Sequence, residues 1–223
     1  MTRKYVIGTR GSDLALWQAN AVKSSLETNF PDLQFELKII HTTGDKVLDV
    51  ALSKIGDKGL FTRQIEAELA DGGIDFAVHS LKDLQTVQPD GLTIGAVLKR
   101  EIPSDVLISK DFSSLSELPT GARVATGSLR RKSQLLRHRP DLNIIEIRGN
   151  VPTRLKKLDD GEFDAIVLAA AGLHRLGLAA RITQLLPLEV SIPAVAQGVL
   201  AIEIRDGDAG VQERAAVVAD HDG

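Results

Sequence analysis

Strand-like and helix-like patterns alternate along almost the whole chain. Every second side chain from Leu33 to Ile39 is apolar, as a strand buried on one face requires. Further strands are predicted at residues 5–7, 74–78, 106–108, 124–125, 144–147, 165–168 and 199–204. Apolar residues at a spacing of three or four predict helices at residues 14–26, 61–69, 129–136 and 151–158. This alternation predicts α/β layers with mixed, mostly parallel sheets flanked by helices.

The length of 223 residues predicts two domains. Two Pro-containing segments separate well-patterned units, so we expect one domain to be inserted within the other. The predicted domain 1 comprises residues 1–99 and 199–217, domain 2 comprises residues 104–192, and residues 100–103 and 193–198 are hinge crossings. This architecture resembles that of type II periplasmic binding proteins, in which small ligands bind in a cleft.

The composition excludes several kinds of chemistry. The sequence has no Cys, which removes disulfides, thiolate metal sites, iron–sulfur ligation and a Cys nucleophile. No His pair has metal-ligand spacing, so no metal is expected. A net charge of −3 and an aromatic content of 4% argue against a nucleic-acid partner. The absence of a signal-like or membrane-length apolar run predicts a cytoplasmic protein without a membrane partner.

Two strand-to-helix turns carry hydroxyl and guanidinium groups. Ser12 is predicted to cap a helix beside Arg10 and to leave backbone N–H groups for an anion; a plain cap with a solvated Arg10 is the alternative. Thr126 and Ser128 repeat this arrangement, with Arg130 and Arg131 in the first helical turn. Positive charge is disfavoured at the N-terminus of a helix, so a bound anion is expected to offset the charge of the two arginines. A solvated basic turn is the alternative.

Two further segments add basic residues. Arg148 and Gly149 end a predicted strand, and Arg154 follows on the next helix, where pairing with Asp159 or Asp160 is the alternative to ligand binding. The Gly-punctuated segment KIGDKGLF at 54–61 carries Lys54 and Lys58. It does not match a Walker A motif, and a mobile loop over a cleft is expected instead.

An acid and two bases follow the predicted strand at 74–78. His79, Lys82 and Asp83 suggest polar chemistry, against the alternatives of an exposed Lys82–Asp83 ion pair and a satisfied core His79. Topology directs nine basic residues toward one cleft, with Asp83 as the one acid among them: Arg10, Lys54, Lys58, Lys82, Arg130, Arg131, Arg148, Arg154 and Arg175. A ligand with several carboxylates or phosphates is therefore expected.

Eight ordered motifs resemble the porphobilinogen deaminase family, also called the hydroxymethylbilane synthases, over residues 3–205. The motifs are TRGSDLALWQ (9–18), TGD (43–45), KIGDKGLF (54–61), VHSLKD (78–83), GSLRR (127–131), IRGN with TR (147–154), AAGLHR (170–175) and PAVAQG (193–198). The family joins four porphobilinogen units head to tail into hydroxymethylbilane, a tetrapyrrole of haem biosynthesis, and releases ammonia at each step. Its dipyrromethane cofactor is attached through a Cys of a third domain.

The resemblance implies roles for individual residues. Asp83 would be the catalytic acid/base that binds pyrrole N–H groups and stabilises a cationic methylene-pyrrole. Substrate and cofactor carboxylates would be held by Arg10, Ser12, Lys82, Ser128, Arg130, Arg131, Arg148, Gly149, Arg154 and Arg175. Lys54, Lys58, Thr126 and Gln197 are further candidate binding residues.

The end of the sequence departs from the family pattern. The chain stops after a last predicted helix and has no Cys, so this chain alone is expected to be incomplete and unable to attach the cofactor in the family's way. A truncated chain is suggested, and a natural two-domain relative and a completing partner chain are the alternatives. A monomer is expected. The main alternative function is a non-catalytic two-domain binding module for a polycarboxylate or another small polyanion, and a nucleotide-binding enzyme ranks third because nucleotide motifs are absent.

Overall fold

The computed structural model describes residues 4–46 and 59–219, which divide into two units. Within the described part, one unit comprises residues 4–46, 59–101 and 199–219, and the other comprises residues 102–198. Lys54, Lys58 and the predicted mobile loop around them lie outside the described residues, apart from residues 59–61.

Strands and helices follow one another in both units. The first unit begins with β1 (Lys4–Thr9), α1 (Asp13–Asn29), β2 (Gln34–Ile39), α2 (Thr43–Lys46), α3 (Arg63–Ala70), β3 (Phe76–Ser80), a 3₁₀ helix (Leu81–Asp83) and β4 (Leu92–Val97). The second unit contains β5 (Asp105–Ser109), β6 (Arg123–Ala125), α4 (Leu129–His138), β7 (Asn143–Ile145), α5 (Val151–Asp159), β8 (Ala165–Ala169), α6 (Ala170–Arg175), a 3₁₀ helix (Ala179–Arg181) and β9 (Gln184–Leu185). The chain then returns to the first unit with β10 (Leu200–Arg205) and α7 (Ala209–Val217).

The described strands form one five-stranded sheet in each unit. The strand orders are β2-β1-β3-β10-β4 and β7-β6-β8-β5-β9. In each sheet one strand, β10 or β5, is antiparallel to both its neighbours, and the other four run in one direction. The prediction of mixed, mostly parallel sheets is therefore confirmed. The two units share one topology, with the antiparallel strand following the point where the chain enters or re-enters the unit.

The core of the first unit lies between its sheet and helices α1 and α7. Tyr5, Phe35 and Phe76 stack there with ring centroids 5.6 to 6.4 Å apart. The other face of the sheet packs against Ile65 and Leu69 of α3. The prediction that Ile39 faces the core is wrong, because Ile39 is 50% exposed. It is the last residue of an edge strand, where burial by neighbours ends.

Several elements were missed by the sequence patterns. Strand β4 reads LTIGAV, in which Gly95 interrupts a clean alternation, and β9 has only two residues. Helices α2 and α6 have four and six residues, too few to show a helical period. No helix in the described ranges is long and apolar enough to span a membrane.

Candidate functional site

A cavity of about 80 Å³ lies in the first unit, beyond the carboxyl ends of β1 and β3. Arg10 and Ser12 from the turn after β1 line it, together with His79 and Asp83 from the end of β3 and the residues that follow. Phe61 also lines the cavity. Ligands of open α/β sheets bind at the carboxyl ends of strands, so the cavity lies where the topology places a binding site.

Backbone and side-chain hydrogen bonds fix the segment that carries Asp83. The Ser80 hydroxyl accepts from Nε2 of Gln18 on α1 at 3.1 Å. The Leu81 N–H donates to the Val199 carbonyl at 3.0 Å, beside β10. The 3₁₀ helix that follows leaves Asp83 exposed. The carboxylate is therefore presented to incoming molecules by a backbone that is tied to two neighbouring elements.

The turn after β1 behaves as its sequence predicts. The Ser12 hydroxyl accepts from the Ala15 N–H at 3.4 Å and caps α1, which confirms the predicted cap. The guanidinium carbon of Arg10 lies 4.2 Å from the centroid of the Phe61 ring. This cation–π contact orients Arg10 at the cavity, in contrast to the freely solvated alternative.

A buried carboxylate, Asp105, organises the basic residues of the second unit. Its Oδ1 accepts from Nε and Nη2 of Arg131 at 3.0 and 2.7 Å and from Nε2 of Gln197 at 2.9 Å. Its Oδ2 accepts from Nη2 of Arg130 and from the Ser191 hydroxyl, both at 2.7 Å. Burial acts to raise the pKa of Asp105, but the charge and hydrogen bonds of Arg131, with those from Gln197 and Ser191, lower it to about 2.

The prediction that Asp83 is the one acid among the basic residues is therefore wrong. Asp105 offsets part of the positive charge of Arg130 and Arg131. The signal available in the sequence is an Asp at the head of the apolar run Val106–Ile108. An acid at the start of a fully buried strand needs partners, because an unpaired buried charge is costly.

The low pKa of Asp105 predicts a component of acid unfolding. Its folded pKa of about 2 lies below the ordinary value of 3.8. At pH values above 3.8, the ionised carboxyl therefore stabilises the fold by about 2 kcal/mol. This contribution is lost as the pH falls through the folded pKa of about 2. We expect Asp105→Asn to be less stable than the wild type at pH 6, with a difference in the free energy of unfolding that shrinks toward pH 2. Chemical denaturation at several pH values measures this.

Asp141→Asn is the matched control for that prediction. Asp141 also pairs with an arginine, Arg139, at 2.6 Å, and a hydrogen bond from Arg139 lowers its pKa. This pair is far more solvent-exposed, so its contribution is screened. A stability difference for Asp105→Asn that is the same at pH 6 and pH 2 would contradict the assignment.

A second group of cations lies at the end of β7 and the start of α5. Arg154 donates from Nε to the Gly149 carbonyl at 2.7 Å. Burial and the charges of Arg131 and Arg148 lower the pKa of Arg154 to about 10, so it is still protonated at neutral pH. The alternative that Arg154 pairs with Asp159 or Asp160 is wrong.

The two candidate acids have other partners. Asp159 pairs with Arg181 at 2.7 Å, and Asp160 pairs with Lys156 at 2.6 Å. The charges of Arg131 and Arg148 therefore act against the charge of Arg154 at this point, and Arg131 is also hydrogen-bonded to Asp105. Such an arrangement suits an incoming anion.

The turn from β6 into α4 forms the wall of a cavity of about 160 Å³ in the second unit. Ser128 caps α4 by accepting from the Arg131 N–H at 3.4 Å, which confirms its predicted role as a helix start. The buried Thr126 hydroxyl accepts from the Ser128 N–H at 3.3 Å. Lys132 and Glu146 also line the cavity.

Gly127 is required in this turn for steric reasons. A Cβ there would lie 2.8 Å from the Ile147 carbonyl oxygen, a backbone atom that cannot rotate away. We expect Gly127→Ala to lower the free energy of unfolding by about 1–3 kcal/mol, as overpacking does. Gly210→Ala is the control, because its Cβ would meet nothing closer than 3.6 Å. Thermal unfolding compares the two, and equal melting temperatures would contradict the steric argument.

The remaining predicted site residues serve the backbone of the second unit or lie at the surface. Gly149 has a φ of +108°, so the turn itself requires glycine. Arg175 is buried and donates from Nη2 to the Gly198 carbonyl at 2.6 Å. Nε2 of Gln197 donates to the Pro103 carbonyl at 2.6 Å as well as to Asp105. Lys82 is exposed.

The chain matches a family model over residues 5–213. That model is described as porphobilinogen deaminase, dipyrromethane cofactor binding domain. The chain belongs to the porphobilinogen deaminase family. The porphobilinogen deaminase of Syntrophomonas wolfei is 56% identical over 209 residues, which are 94% of this chain and 68% of that protein. The porphobilinogen deaminase of Desulforudis audaxviator is 56% identical over 213 residues, or 96% of this chain and 69% of that protein.

Solved structures of periplasmic binding proteins share the fold. The methionine-binding protein MetQ superposes with a TM-score of 0.60 at 17% identity, covering 96% of this chain and 88% of that one. A nutrient-binding protein from Burkholderia cenocepacia, bound to methionine, gives a TM-score of 0.59 at 17% identity, covering 95% of this chain and 90% of that one. The predicted likeness of this porphobilinogen deaminase chain to type II periplasmic binding proteins is confirmed for the fold alone.

The side chains of the second unit suit the dipyrromethane of the porphobilinogen deaminase family. Each of its pyrroles carries an acetate and a propionate, and the group of Arg131, Arg148 and Arg154 offers guanidinium N–H donors in partly buried surroundings. The hydroxyl of Ser128 lies at the adjoining helix start. None of the 223 residues is a Cys, so no residue of this sequence forms a thioether with the cofactor. In the described ranges no group of three metal-ligating side chains is present.

Proposed function

We propose that the chain binds porphobilinogen and dipyrromethane and carries the catalytic carboxylate of a deaminase that joins four porphobilinogen units into hydroxymethylbilane, with release of ammonia. The observation that carries this proposal is the position of Asp83. In a chain of the porphobilinogen deaminase family, it is held at a cavity that Arg10 and Ser12 also line.

Asp83 acts on the reacting pyrroles. Its carboxylate accepts hydrogen bonds from pyrrole N–H groups and stabilises the positive charge that develops when the aminomethyl group of porphobilinogen loses ammonia. The same oxygens then take up the proton released when the new carbon–carbon bond forms. The ties of Ser80 and Leu81 to α1 and Val199 hold these oxygens in place.

Basic residues of each unit bind the carboxylates of substrate and cofactor. In the first unit Arg10, oriented by Phe61, and Lys82 lie beside Asp83. In the second unit Arg148 and Arg154 supply cations, and Asp105 holds Arg130 and Arg131 in fixed directions. When bound, dipyrromethane supplies the free pyrrole carbon to which the first porphobilinogen is joined. Lys54 and Lys58 are proposed to contribute further cations.

Incubation with porphobilinogen tests the proposed function. Release of ammonia and formation of a coloured tetrapyrrole are expected. A non-catalytic binding module would instead gain thermal stability from porphobilinogen without releasing ammonia. The family match does not favour that alternative, and the periplasmic binding proteins share only the fold. Measuring ammonia and the melting temperature on the same sample separates the two functions.

A further inference from the structure

A buried imidazole–carboxylate pair adjoins the Asp83 cavity. Nε2 of His79 on β3 lies 3.3 Å from Oε2 of Glu203 on β10, and the two side chains are 4% and 0% exposed. The strands are antiparallel neighbours, with His79 opposite Ala201 and Glu203 opposite Ala77. The contact between the two side chains therefore depends on the pairing of β3 with β10, two central strands of the sheet.

Several buried polar atoms in and around this pair lack a hydrogen-bond partner among the described residues. Within residues 4–46 and 59–219, neither side-chain oxygen of Glu203 makes a hydrogen bond, and Nε2 of His79 makes none either. Helix α3 packs on the same sheet, and two more buried oxygens without a partner lie there: Oγ1 of Thr62, which directly precedes α3, and Oε1 of Glu66 within it. Buried polar groups are costly to leave unpaired, so their retention points to a function other than stability.

His79 also reaches the cavity itself. It lines the cavity together with Ser80, Thr62 and Asp83. The contact with the Glu203 carboxylate is attractive only when Nε2 carries a proton, which leaves Nδ1 of the neutral ring as a proton acceptor. A carboxylate that orients an imidazole toward a reacting group is a recurring arrangement in proton transfer. Among the described residues that line this cavity, His79 is the one with an imidazole.

We propose that the Glu203–His79 pair is a proton relay that removes the proton from Asp83 after each condensation. This inference rests on the proposed function. In each condensation, one C–N bond of porphobilinogen and one pyrrole C–H bond break, and one C–C bond forms. The protonated amine of porphobilinogen leaves as ammonia when the C–N bond breaks, and the proton from carbon passes to Asp83 when the C–C bond forms. Nδ1 of His79 then takes this proton and delivers it to the departing ammonia, which leaves as ammonium.

The relay has a chemical purpose. A protonated Asp83 has lost the negative charge that stabilises the next cationic methylene-pyrrole, so the proton must leave before another unit reacts. Glu203 stabilises the imidazolium that forms transiently at His79. Glu66 on α3 and Arg205, which follows Glu203 by two residues on β10 and donates to the Leu69 carbonyl of α3, are further charged groups on this side of the sheet. The pair therefore couples the end of one condensation to the start of the next.

Nitrogen NMR of the imidazole tests the arrangement without turnover. The ¹⁵N signals of His79 are assigned by their loss in His79→Gln, and we expect the resting proton on Nε2, facing Glu203. A resting proton on Nδ1 would overturn the relay, because the ring nitrogen left to accept a proton would then be Nε2, which lies beside Glu203.

Kinetics of ammonia release provide the second test. We expect Glu203→Gln and His79→Gln to lower kcat about 100-fold, typical of general acid–base groups, with KM little changed. Added imidazole is expected to restore part of kcat to His79→Gly, and His138→Gln, at an exposed position on α4, is the control. A rise in KM with no rescue would indicate a merely structural role and overturn the relay. Ammonia release at the wild-type rate in the variants would overturn the relay alone, whereas no release from the wild type would overturn the proposed function itself.

Discussion

Asp83→Asn is expected to abolish ammonia release while the chain still folds. The amide keeps the shape of the side chain but cannot take up a proton or offer a negative charge to the developing cation. General acid–base groups contribute about 10²–10⁴ in rate, and the loss of charge stabilisation adds to this. Because Asp83 is exposed and is the last residue of a short 3₁₀ helix, its substitution leaves the core untouched. Steady-state ammonia release and thermal unfolding measure the two effects.

Asp90→Asn is the matched control for this variant. Asp90 is an exposed Asp in the connection between Asp83 and β4, and it does not line the cavity. It is expected to keep wild-type turnover and stability. Near-wild-type turnover of Asp83→Asn would rule out its catalytic role, and a large drop in its melting temperature would show that folding had been affected instead.

Arg148→Leu is expected to weaken binding of porphobilinogen, which carries two carboxylates. A hydrogen bond between an arginine and a carboxylate contributes about 1.5–3 kcal/mol, so the dissociation constant should rise about 10- to 100-fold. Arg148 lies close enough to Arg154 for its charge to lower the pKa of that residue, as the charge of Arg131 also does. Isothermal titration with porphobilinogen measures the change.

Arg137→Leu controls for the loss of one positive charge. Arg137 lies exposed near the end of α4 in the same unit, away from the turn that carries Ser128. Its removal changes the net charge equally and is expected to leave the affinity unchanged. Equal affinities of the wild type and Arg148→Leu for porphobilinogen would contradict the carboxylate-binding role.

Local parts of the site could be predicted from the sequence. Ser12 and Ser128 cap helices that directly follow strands, and these contacts span three residues along the chain. The position of Asp83 just beyond β3 likewise follows from a strand that ends and a turn that begins. Interactions of this kind depend on neighbours in sequence, so residue type and spacing are sufficient to indicate them.

The hydrogen-bond partners of Asp105 could not be predicted from the sequence. Its partners Arg130, Arg131, Ser191 and Gln197 lie 25, 26, 86 and 92 residues away. Only the folded sheet brings these residues to one carboxylate. The sequence of α4 alone therefore shows no acid that offsets the charge of its two arginines. The pairing of His79 with Glu203 has the same origin, since it depends on β10 entering the sheet antiparallel to β3.

The fold was predicted well where strands are central and less well at the edges. The central strands β1, β3, β6 and β8 carry continuous apolar segments, whereas β4 and β9 are edge strands with weak patterns. Ile39 was misassigned to the core for a similar reason, because β2 is buried by a neighbour on one side only. Burial at an edge is decided by tertiary packing rather than by alternation.

Real-time NMR of porphobilinogen labelled with ¹⁵N in its aminomethyl group tests the central claim most directly. With the wild-type chain, we predict that the aminomethyl signal disappears and a free ammonium signal grows in its place, while Asp83→Asn leaves the label in the aminomethyl group. A label that stays in the aminomethyl group of bound porphobilinogen with the wild type would contradict the account and identify a binding module instead.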